Sequence, residues 1–555
     1  MQGLHPARQP RSPKPLTPLA ITARHSATVA GWTLVSRITG LLRVVVMGSL
    51  LGPTSFANAF QAGYFVPHLL FMLIAGPVLA MVLVPALVRA VSAAGLLGAR
   101  ELLARVAGWL LAVSAIGAGL LMLLSPAVAW TLTFGIADPA QHARALLLTT
   151  LLVLFVAPQV PLYTLAHLGM AAQQARGRFV LAAGAPTVEH LVLIVTVALA
   201  GLCYRGELTA EQVPAGLVVL LGLGSTLAVA LHTAVQYAGA RRVGLPVRLP
   251  VRLPVRRRPG PDPQVCLITR RLVRSLGVAG WPAAGMYVVS ALASPVSGGV
   301  FVVQLAHTMV YSLSFVGARA VSVAALPALS HAASCGDRST FGSAWRRGLS
   351  YAIIASLPLL VLLALLATPT AIVLTGAQLR HVALTGPLST CLVVAAVAQL
   401  VGGMHDIGRQ ALFARLDDRV PRRASQAAFG VTVVIASASL LLPVTGARLI
   451  WLMLAGLAGE VVAAAVVLTA LRRAIHPERF LEPRPLLAAL LAALALVPVA
   501  GTVGWVQQAD HSGRLAELSL LLTGGVSALG VYLLAFRLAA RRLGGIKGKG
   551  LSVWL

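Results

Sequence analysis

Long apolar segments recur along the whole sequence, separated by short polar connections, and this pattern limits what the chain can become. Of the 555 residues, 58% are hydrophobic and 11% are charged. About 20 consecutive apolar residues cross a bilayer as an α-helix, and one soluble core would not bury this much hydrocarbon. The segments lack the two-residue alternation of membrane β-strands, which favours helices over a closed barrel. The sequence therefore predicts an all-α polytopic membrane protein.

Hydropathy along the chain predicts about fourteen transmembrane helices, with boundaries uncertain by several residues. The predicted spans are 27–51, 56–88, 106–133, 146–172, 179–203, 213–239, 276–297, 299–330, 348–375, 385–412, 424–444, 448–471, 485–507 and 516–537.

The basic residues test this count, because Lys and Arg collect on alternate, cytoplasmic connections. With the N-terminus in the cytoplasm, most of the 44 Lys and Arg residues fall on the cytoplasmic side. The exceptions are four arginines within spans, Arg37, Arg43, Arg319 and Arg409, and five on the opposite side, Arg144, Arg205, Arg380, Arg448 and Arg514. The predicted protein lies in the plasma membrane with both termini cytoplasmic.

A basic linker divides the helices into two sets of six. Since six is an even number, both sets enter the membrane in the same sense, as a parallel repeat does. Val84-Pro85-Ala86-Leu87 ends the second helix, and the similar Leu326-Pro327-Ala328-Leu329 ends the eighth. The predicted organisation is a disordered tail at 1–25, an N-lobe at 26–240, the linker at 241–275, a C-lobe at 276–475, two further helices at 476–540 and a cytoplasmic tail at 541–555.

The linker carries ten arginines between Arg241 and Arg274 and three Leu-Pro-Val-Arg repeats. Proline at every fourth position prevents a regular helix and favours an extended segment. The linker is either a solvated connection or an arm held at anionic membrane lipids. The net charge of +29 is spread over all the cytoplasmic connections, so it explains topology and predicts no nucleic-acid partner.

Two arginines of the first helix are the strongest functional candidates. Arg37 and Arg43 lie in the apolar segment 27–51, which contains no Asp or Glu. A charge at membrane depth costs about 2.5–3.5 kcal/mol on insertion scales, so such residues usually face a cavity or a partner. Guanidinium binds phosphate oxygens bidentately and keeps its charge. The alternative is that one side chain extends to an interface.

Other polar residues within the spans extend the candidate site. Arg319 of the eighth helix is a third possible anion ligand, or it extends to the cytoplasmic interface. Asn58, His68 and His307 are candidate polar residues of a cavity. Three acidic residues are candidates for ion coupling: Glu189, Asp406 and Glu460. The alternatives are local structural pairs of Glu189 with His190 and of Asp406 with Arg409, which lower the cost of insertion, and a neutral, hydrogen-bonded Glu460.

The sequence contains no motif for enzymatic chemistry or for a metal. No GxxxxGK[ST] loop, HExxH or nucleophile elbow occurs, and the four cysteines lack metal-binding spacing. A transporter without cofactors is predicted, driven by an ion gradient or by the membrane potential.

Several motifs together resemble the MurJ/MviN family. The run from Ser36 to Arg43 is followed by the shorter motifs of the first two helices and by two later ones. These motifs are Ala59-Phe60, Pro67-His68-Leu69-Leu70, Val84-Pro85, Gly177-Arg178-Phe179 with Ala185-Pro186, and Leu412-Phe413-Ala414-Arg415 with Asp417 and Pro421.

The resemblance implies a V of two six-helix lobes around a cationic cavity, with two further helices forming a lipid-facing groove. It implies a flippase that moves lipid II, the undecaprenyl-diphosphate-linked peptidoglycan precursor, to the outer leaflet by alternating access, alongside other cell-wall synthesis proteins. Arg37 and Arg43 fall on the family's two first-helix arginines, which are thought to hold the diphosphate.

The chain departs from the family pattern at charged positions. Uncharged or histidine residues replace family charges at Val44, Asn58, Phe71, Met72, Gly76-Pro77, His307, Thr308 and Tyr311. Three alternatives to lipid II transport therefore stay open. They are transport of another polyprenyl-linked glycan, cation-coupled export and a non-transporting scaffold for envelope assembly.

Overall fold

The protein consists of α-helices, with one 3₁₀ turn and no strand in the described residues. The computed structural model describes residues 18–51, 54–74, 76–204, 213–247, 263–314, 317–375, 384–476, 479–509 and 514–543. Its helices are α1 Pro18–Leu51, α2 Ser55–Ile74, α3 Gly76–Leu123, α4 Ser125–Thr133, α5 Pro139–Val156, α6 Gln159–Ala175, α7 Val180–Cys203, α8 Ala215–Arg242, α9 Pro263–Ala293, α10 Gly299–Ser314, α11 Ala318–Ser334, α12 Arg338–Thr375, α13 Thr385–Ala414, α14 Arg419–Ser437, α15 Gly446–Ile475, α16 Pro483–Leu494, α17 Leu496–Ala509 and α18 Arg514–Arg542.

Every predicted span overlaps one of these helices or a consecutive pair, but the count of fourteen is not confirmed. In the described residues, eleven helical stretches are long and apolar enough to cross a membrane. The count rises to twelve if α10 and α11, which are bent by 48°, form one broken span. The apolar segment Gly277–Ala293 is shorter than a full span. These helices make the chain a multi-pass membrane protein.

The chain reverses or bends where local chemistry ends a helix. Gly95 has a φ of 66°, a left-handed conformation that favours glycine, and it interrupts α3 between two long legs. Asp138 begins α5 by accepting a hydrogen bond from the Ala140 amide at 3.1 Å, and proline follows as the first helical residue. Asp337 caps α12 in the same way. Each break lies where the chain leaves one membrane crossing for the next.

The predicted segment boundaries differ from the helix ends at three places: the N-terminal tail and both ends of the linker 241–275, of which residues 263–275 are helical in α9. Helix α1 begins at Pro18, so residues 18–25 are helical, and 1–17 lie outside the described residues. After α8 the chain packs onto the N-lobe with Leu245 and Val247 buried, and Arg100 Nε donates to Gly244 O at 2.7 Å. The predicted linker arm therefore starts later than Arg241, and 248–262 lie outside the described residues.

The apolar cores show how the two lobes are arranged. One cluster at the end of the molecule near Asn58 contains residues of both lobes, including Phe56, Phe60 and Phe301. At the opposite end, near the linker, the N-lobe has its own core around Phe71, and the C-lobe has a separate core around Trp345. We call these the Asn58 end and the linker end. A shared core at one end and separate cores at the other form a V.

The last three helices form a separate layer. Helices α16, α17 and α18 pack against α12 through a cluster that includes Ile354, Leu357, Tyr532 and Phe536. Tyr532 donates from its hydroxyl to Ile354 O at 2.8 Å. These helices therefore extend the C-lobe and do not line the space between the lobes.

Candidate functional site

Helix α1 lies between the two lobes and carries one arginine toward each. It packs against α7 of the N-lobe and against α10 and α12 of the C-lobe. Arg37 and Arg43 are six residues apart, which places them about 120° apart around the helix. Arg37 interacts electrostatically with Tyr311 and Arg319 of the C-lobe. Arg43 interacts with Tyr64 of the N-lobe, so the two cations lie on different walls of the same space.

On the N-lobe wall, Arg43 is the first member of a connected polar network. Its Nη1 donates to the Tyr64 hydroxyl at 3.0 Å, and this hydroxyl lies 3.4 Å from Glu189 Oε1. The Tyr163 hydroxyl donates to the same oxygen at 2.7 Å. His232 Nδ1 lies 2.7 Å from Glu189 Oε2. Five helices thus place one acidic group among three hydrogen-bonding partners and near one arginine.

Two other N-lobe histidines, His68 and His190, border this network. His68 packs edge-on against Tyr163, with ring centroids 5.7 Å apart, and is half-buried. His190, next to Glu189 in sequence, points instead toward α1, where its Nε2 would lie 3.3 Å from a Cβ at Gly40. The expected local pairing of Glu189 with His190 is therefore replaced by a pairing of Glu189 with His232, on the neighbouring helix α8.

On the C-lobe wall, Arg319 and His307 lie around Tyr311. The Arg319 guanidinium lies over the Tyr311 ring, 4.7 Å from its centroid, and the His307 ring stacks on the same tyrosine at 5.8 Å. A guanidinium over an aromatic face is attracted by the ring quadrupole. Arg319 is also within electrostatic range of Arg37. The structure therefore brings Arg37, Arg319 and His307 together.

The remaining acidic candidates are paired within the C-lobe. His405 Nδ1 lies 2.7 Å from Glu460 Oε1, joining α13 to α15, and Glu460 interacts electrostatically with His307. The Glu460 side chain is 34% exposed, whereas that of His405 is 10% exposed. Asp406 forms an ion pair with Arg409 one turn along α13. Glu460 therefore lies nearer the candidate site than Asp406.

Asn58 does not join the arginines but links the two lobes at the opposite end of the V. Its Nδ2 donates to Val296 O at 2.9 Å, and its Oδ1 accepts from the amides of Val300 and Phe301 at 3.1 and 3.3 Å. The side chain is 8% exposed. Asn58 of α2 thereby caps the first turn of α10, which belongs to the other lobe.

A close backbone approach lies beside this contact. A Cβ at Gly48 of α1 would lie 2.3 Å from the Leu374 carbonyl oxygen of α12. Only glycine permits this distance between α1 and the C-lobe. The Asn58 end is therefore closed by a hydrogen-bonded and tightly packed contact between lobes.

Taken together, the arrangement favours binding of an anion rather than bond-making chemistry. Three guanidinium groups and His307 border the space between the lobes, and guanidinium is suited to phosphate. In the described ranges, no group of three or more His, Cys, Asp or Glu is placed to hold a metal ion.

Sequence reasoning missed four members of the site: Tyr64, Tyr163, His232 and Tyr311. The tyrosines look like ordinary apolar core residues in the sequence, and His232 lies 43 positions from Glu189. The available signal was the presence of charges within several predicted helices, because charges at membrane depth commonly pair with one another.

Comparisons with known proteins agree on the family. The model of the family described as "Lipid II flippase MurJ" matches residues 47–524. A probable lipid II flippase MurJ of Rhizobium tropici is 26% identical over 341 residues, which are 61% of this chain and 61% of the relative. A probable lipid II flippase MurJ of Rhizobium meliloti (strain 1021) is 26% identical over 356 residues, covering 62% of this chain and 61% of the relative. Each match thus spans about three fifths of the relative's length.

Solved structures show the same fold. A lipid II flippase MurJ in an inward closed conformation superposes with a TM-score of 0.69 at 14% identity, covering 93% of this chain and 99% of that one. An inward-facing multidrug resistance MATE family transporter of the MOP superfamily gives a TM-score of 0.61 at 16% identity, covering 79% of this chain and 94% of that one. Because the family model covers most of the chain, this protein belongs to the MurJ lipid II flippase family.

Proposed function

We propose that this protein is a flippase that moves lipid II from the inner to the outer leaflet of the plasma membrane by alternating access. The observation that carries the proposal is the placement of Arg37 and Arg43 on opposite walls between two lobes, with Arg319 beside Arg37. A diphosphate between them would meet cations from both lobes. Membership of the MurJ family supports lipid II as the substrate.

The proposed orientation places the linker end in the cytoplasm. Arg89, Arg100, Arg176, Arg241 and Arg415 all lie at that end, and cytoplasmic connections are the basic ones. The V then opens toward the leaflet in which a lipid-linked precursor is made, and the Asn58 contact closes the outer side. The basic linker would lie against anionic lipids of the inner leaflet.

The diphosphate is the part of the cargo that the arginines recognise, and it is shared by other polyprenyl-linked glycans. The C-lobe wall favours keeping this second candidate, because His307 and Tyr311 stand where the family resemblance expects fixed charges. Fewer charges leave fewer fixed contacts for the sugar and the peptide. The two cargoes differ only beyond the diphosphate.

The decisive experiment is translocation in proteoliposomes made from the full chain. Fluorescent lipid II is incorporated, and the outer-leaflet fraction is measured with a membrane-impermeant label. We expect the wild-type protein to equilibrate lipid II across the bilayer and Arg37→Ala and Arg43→Ala to slow it at least tenfold, since a hydrogen bond to a charged group contributes about 1.5–3 kcal/mol.

Two controls make this experiment specific. Arg89→Gln removes a cation that is exposed at the linker end, and it should keep the wild-type rate. A polyprenyl-diphosphate-linked monosaccharide tests the second candidate in the same vesicles. Movement of the monosaccharide lipid without lipid II would assign the other cargo, whereas no movement of either lipid would reject the flippase.

A further inference from the structure

The buried acidic group of the N-lobe has a geometry that the anion site alone does not require. Glu189 receives a hydroxyl hydrogen bond from Tyr163 and an imidazole contact from His232, both at 2.7 Å. The side chains of His232 and Glu189 are 6% and 8% exposed. Burying a carboxylate in a membrane protein is costly, and such residues commonly mark proton or ion pathways.

The hydrogen bonds run in one direction from the cavity wall to this buried pair. The Arg43 guanidinium can only donate, so the Tyr64 hydroxyl must accept from it and direct its own hydrogen toward Glu189 Oε1. Tyr163 donates to the same oxygen. One hydroxyl group therefore connects Arg43 to Glu189.

Titratable and charged groups from five helices surround the Glu189–His232 pair. The titratable and charged groups that face Glu189 are Arg43 from α1, Tyr64 and His68 from α2, Tyr163 and His167 from α6, His190 from α7 and His232 from α8. Among the described residues of the N-lobe wall, Glu189 is the one carboxylate near these groups. It offsets the charge of Arg43 while the anion site is empty.

We propose that the Glu189–His232 pair is a proton-binding site that is coupled through Tyr64 and Arg43 to occupancy of the anion site. This inference rests on the proposed function, because the anion is the diphosphate of the lipid-linked cargo. When a diphosphate binds Arg43, it supplies the negative charge that Glu189 supplied before. The pair then takes up one proton from water, which forms an O–H bond on Glu189 or an N–H bond on His232.

The coupling is reciprocal because it is an equilibrium property. A proton on the pair adds one positive charge behind Arg43 and strengthens diphosphate binding by the same factor by which the diphosphate strengthens proton binding. Diphosphate affinity therefore falls as pH rises through the range in which the pair titrates. For one coupled proton, the fall is at most about tenfold per pH unit.

The test is calorimetric titration of the full-length protein in nanodiscs of zwitterionic lipid. The probe is farnesyl-diphosphoryl-N-acetylglucosamine, a diester whose phosphates have no titratable proton near neutral pH. Binding heats measured in buffers of different ionisation enthalpy give the number of protons taken up. We expect a net uptake of up to one proton by the wild-type protein, with weaker binding at higher pH.

Three variants assign the uptake to the pair. Glu189→Gln should bind the probe without proton uptake. Tyr64→Phe keeps both members of the pair and removes only the connecting hydroxyl, so it should bind with reduced uptake even if Glu189→Gln does not fold. Glu101→Gln removes an exposed carboxylate of the same lobe that belongs to neither wall of the site, and should keep the wild-type uptake.

The possible failures are distinguishable. Absence of probe binding to the wild-type protein would reject the anion site and with it the proposed function. Binding without proton uptake would overturn the coupling and leave the anion site intact. Undiminished uptake by Glu189→Gln, or by Tyr64→Phe, would also overturn the coupling as assigned here.

Discussion

The two lobes each contain a carboxylate–imidazole pair at 2.7 Å, but the pairs have different surroundings. In the N-lobe, Glu189 and His232 are both almost completely buried, and two tyrosines connect the carboxylate to its neighbours. In the C-lobe, Glu460 is 34% exposed beside His405. The two pairs therefore have the same distance but differ in the energetic cost of losing a partner, because a buried charge depends on its partners far more than a hydrated charge does.

This difference extends to the arginines on the two walls. Arg43 donates a hydrogen bond to the N-lobe network, whereas Arg319 lies over an aromatic ring near Arg37. The N-lobe wall thus contains its own balancing carboxylate close to its cation. The C-lobe wall concentrates positive charge at the space between the lobes. We infer that the N-lobe regulates the strength of the site and the C-lobe supplies attraction.

The largest expected effect is the difference in stability between variants of the two carboxylate–imidazole pairs. Glu189→Gln should destabilise the protein by about 3–5 kcal/mol, because it leaves buried His232 and Arg43 without their carboxylate. Glu460→Gln should cost about 1 kcal/mol or less, since the Glu460 side chain is 34% exposed and water solvates its carboxylate. Thermal unfolding of the wild-type protein and both variants in the same detergent measures the two losses of stability. Equal losses of melting temperature would show that the burial difference has no energetic consequence.

A second test compares the arginines of the two walls. Arg319→Gln should reduce the rate of lipid II translocation by about tenfold or more, because it removes one charge-assisted hydrogen bond to the diphosphate. The N-lobe network should stay intact. The proteoliposome assay reports the rate, and Arg89→Gln is the matched control. A wild-type rate in Arg319→Gln would remove the C-lobe wall from the binding site.

A smaller effect is expected at the contact between the lobes. Asn58→Ala removes the side chain that caps α10 from the other lobe, a loss of about 1–2 kcal/mol from the closed arrangement. Spin labels on the two lobes at the Asn58 end should then report a larger population of long distances. Asn58→Asp keeps the acceptor but loses the donor to Val296 O, so it should have an intermediate effect. Unchanged distances in Asn58→Ala would show that packing alone closes this end.

The smallest effect concerns Asp337, which lies on the surface of the C-lobe, far from either wall. Hydrogen bonds from Thr340 and Ser339 lower the pKa of its carboxyl from 3.8 to about 2. Because the folded-state pKa is depressed, its stabilisation is present above pH 3.8 and disappears as the pH falls through about 2. Asp337→Ala should therefore lower the melting temperature slightly at neutral pH and leave transport unchanged. A difference in melting temperature between the wild-type protein and Asp337→Ala that is undiminished at pH 2 would contradict this pH dependence.

The sequence predicted the helices and the first-helix arginines because both depend on local chemistry. Apolar length sets a span, and a charge within it has few possible explanations. The span count was not confirmed, since broken helices such as α10 with α11 do not match a fixed window.

Pairing between helices could not be predicted in this way. The contact of Glu189 with His232 depends on how α7 packs against α8, and the role of Asn58 depends on backbone groups of the other lobe. In the sequence, Tyr64 and Tyr163 are flanked by apolar residues, as aromatic residues of an ordinary core are. Only the packed structure distinguishes a tyrosine that bridges two charges from one that fills space.

The most direct test of the cationic site is a structure of the protein with lipid II bound in a lipid nanodisc. The account predicts the diphosphate between the lobes, with oxygens within hydrogen-bond distance of both Arg37 and Arg43. A diphosphate bound elsewhere, with both guanidinium groups directed toward lipid headgroups, would contradict it.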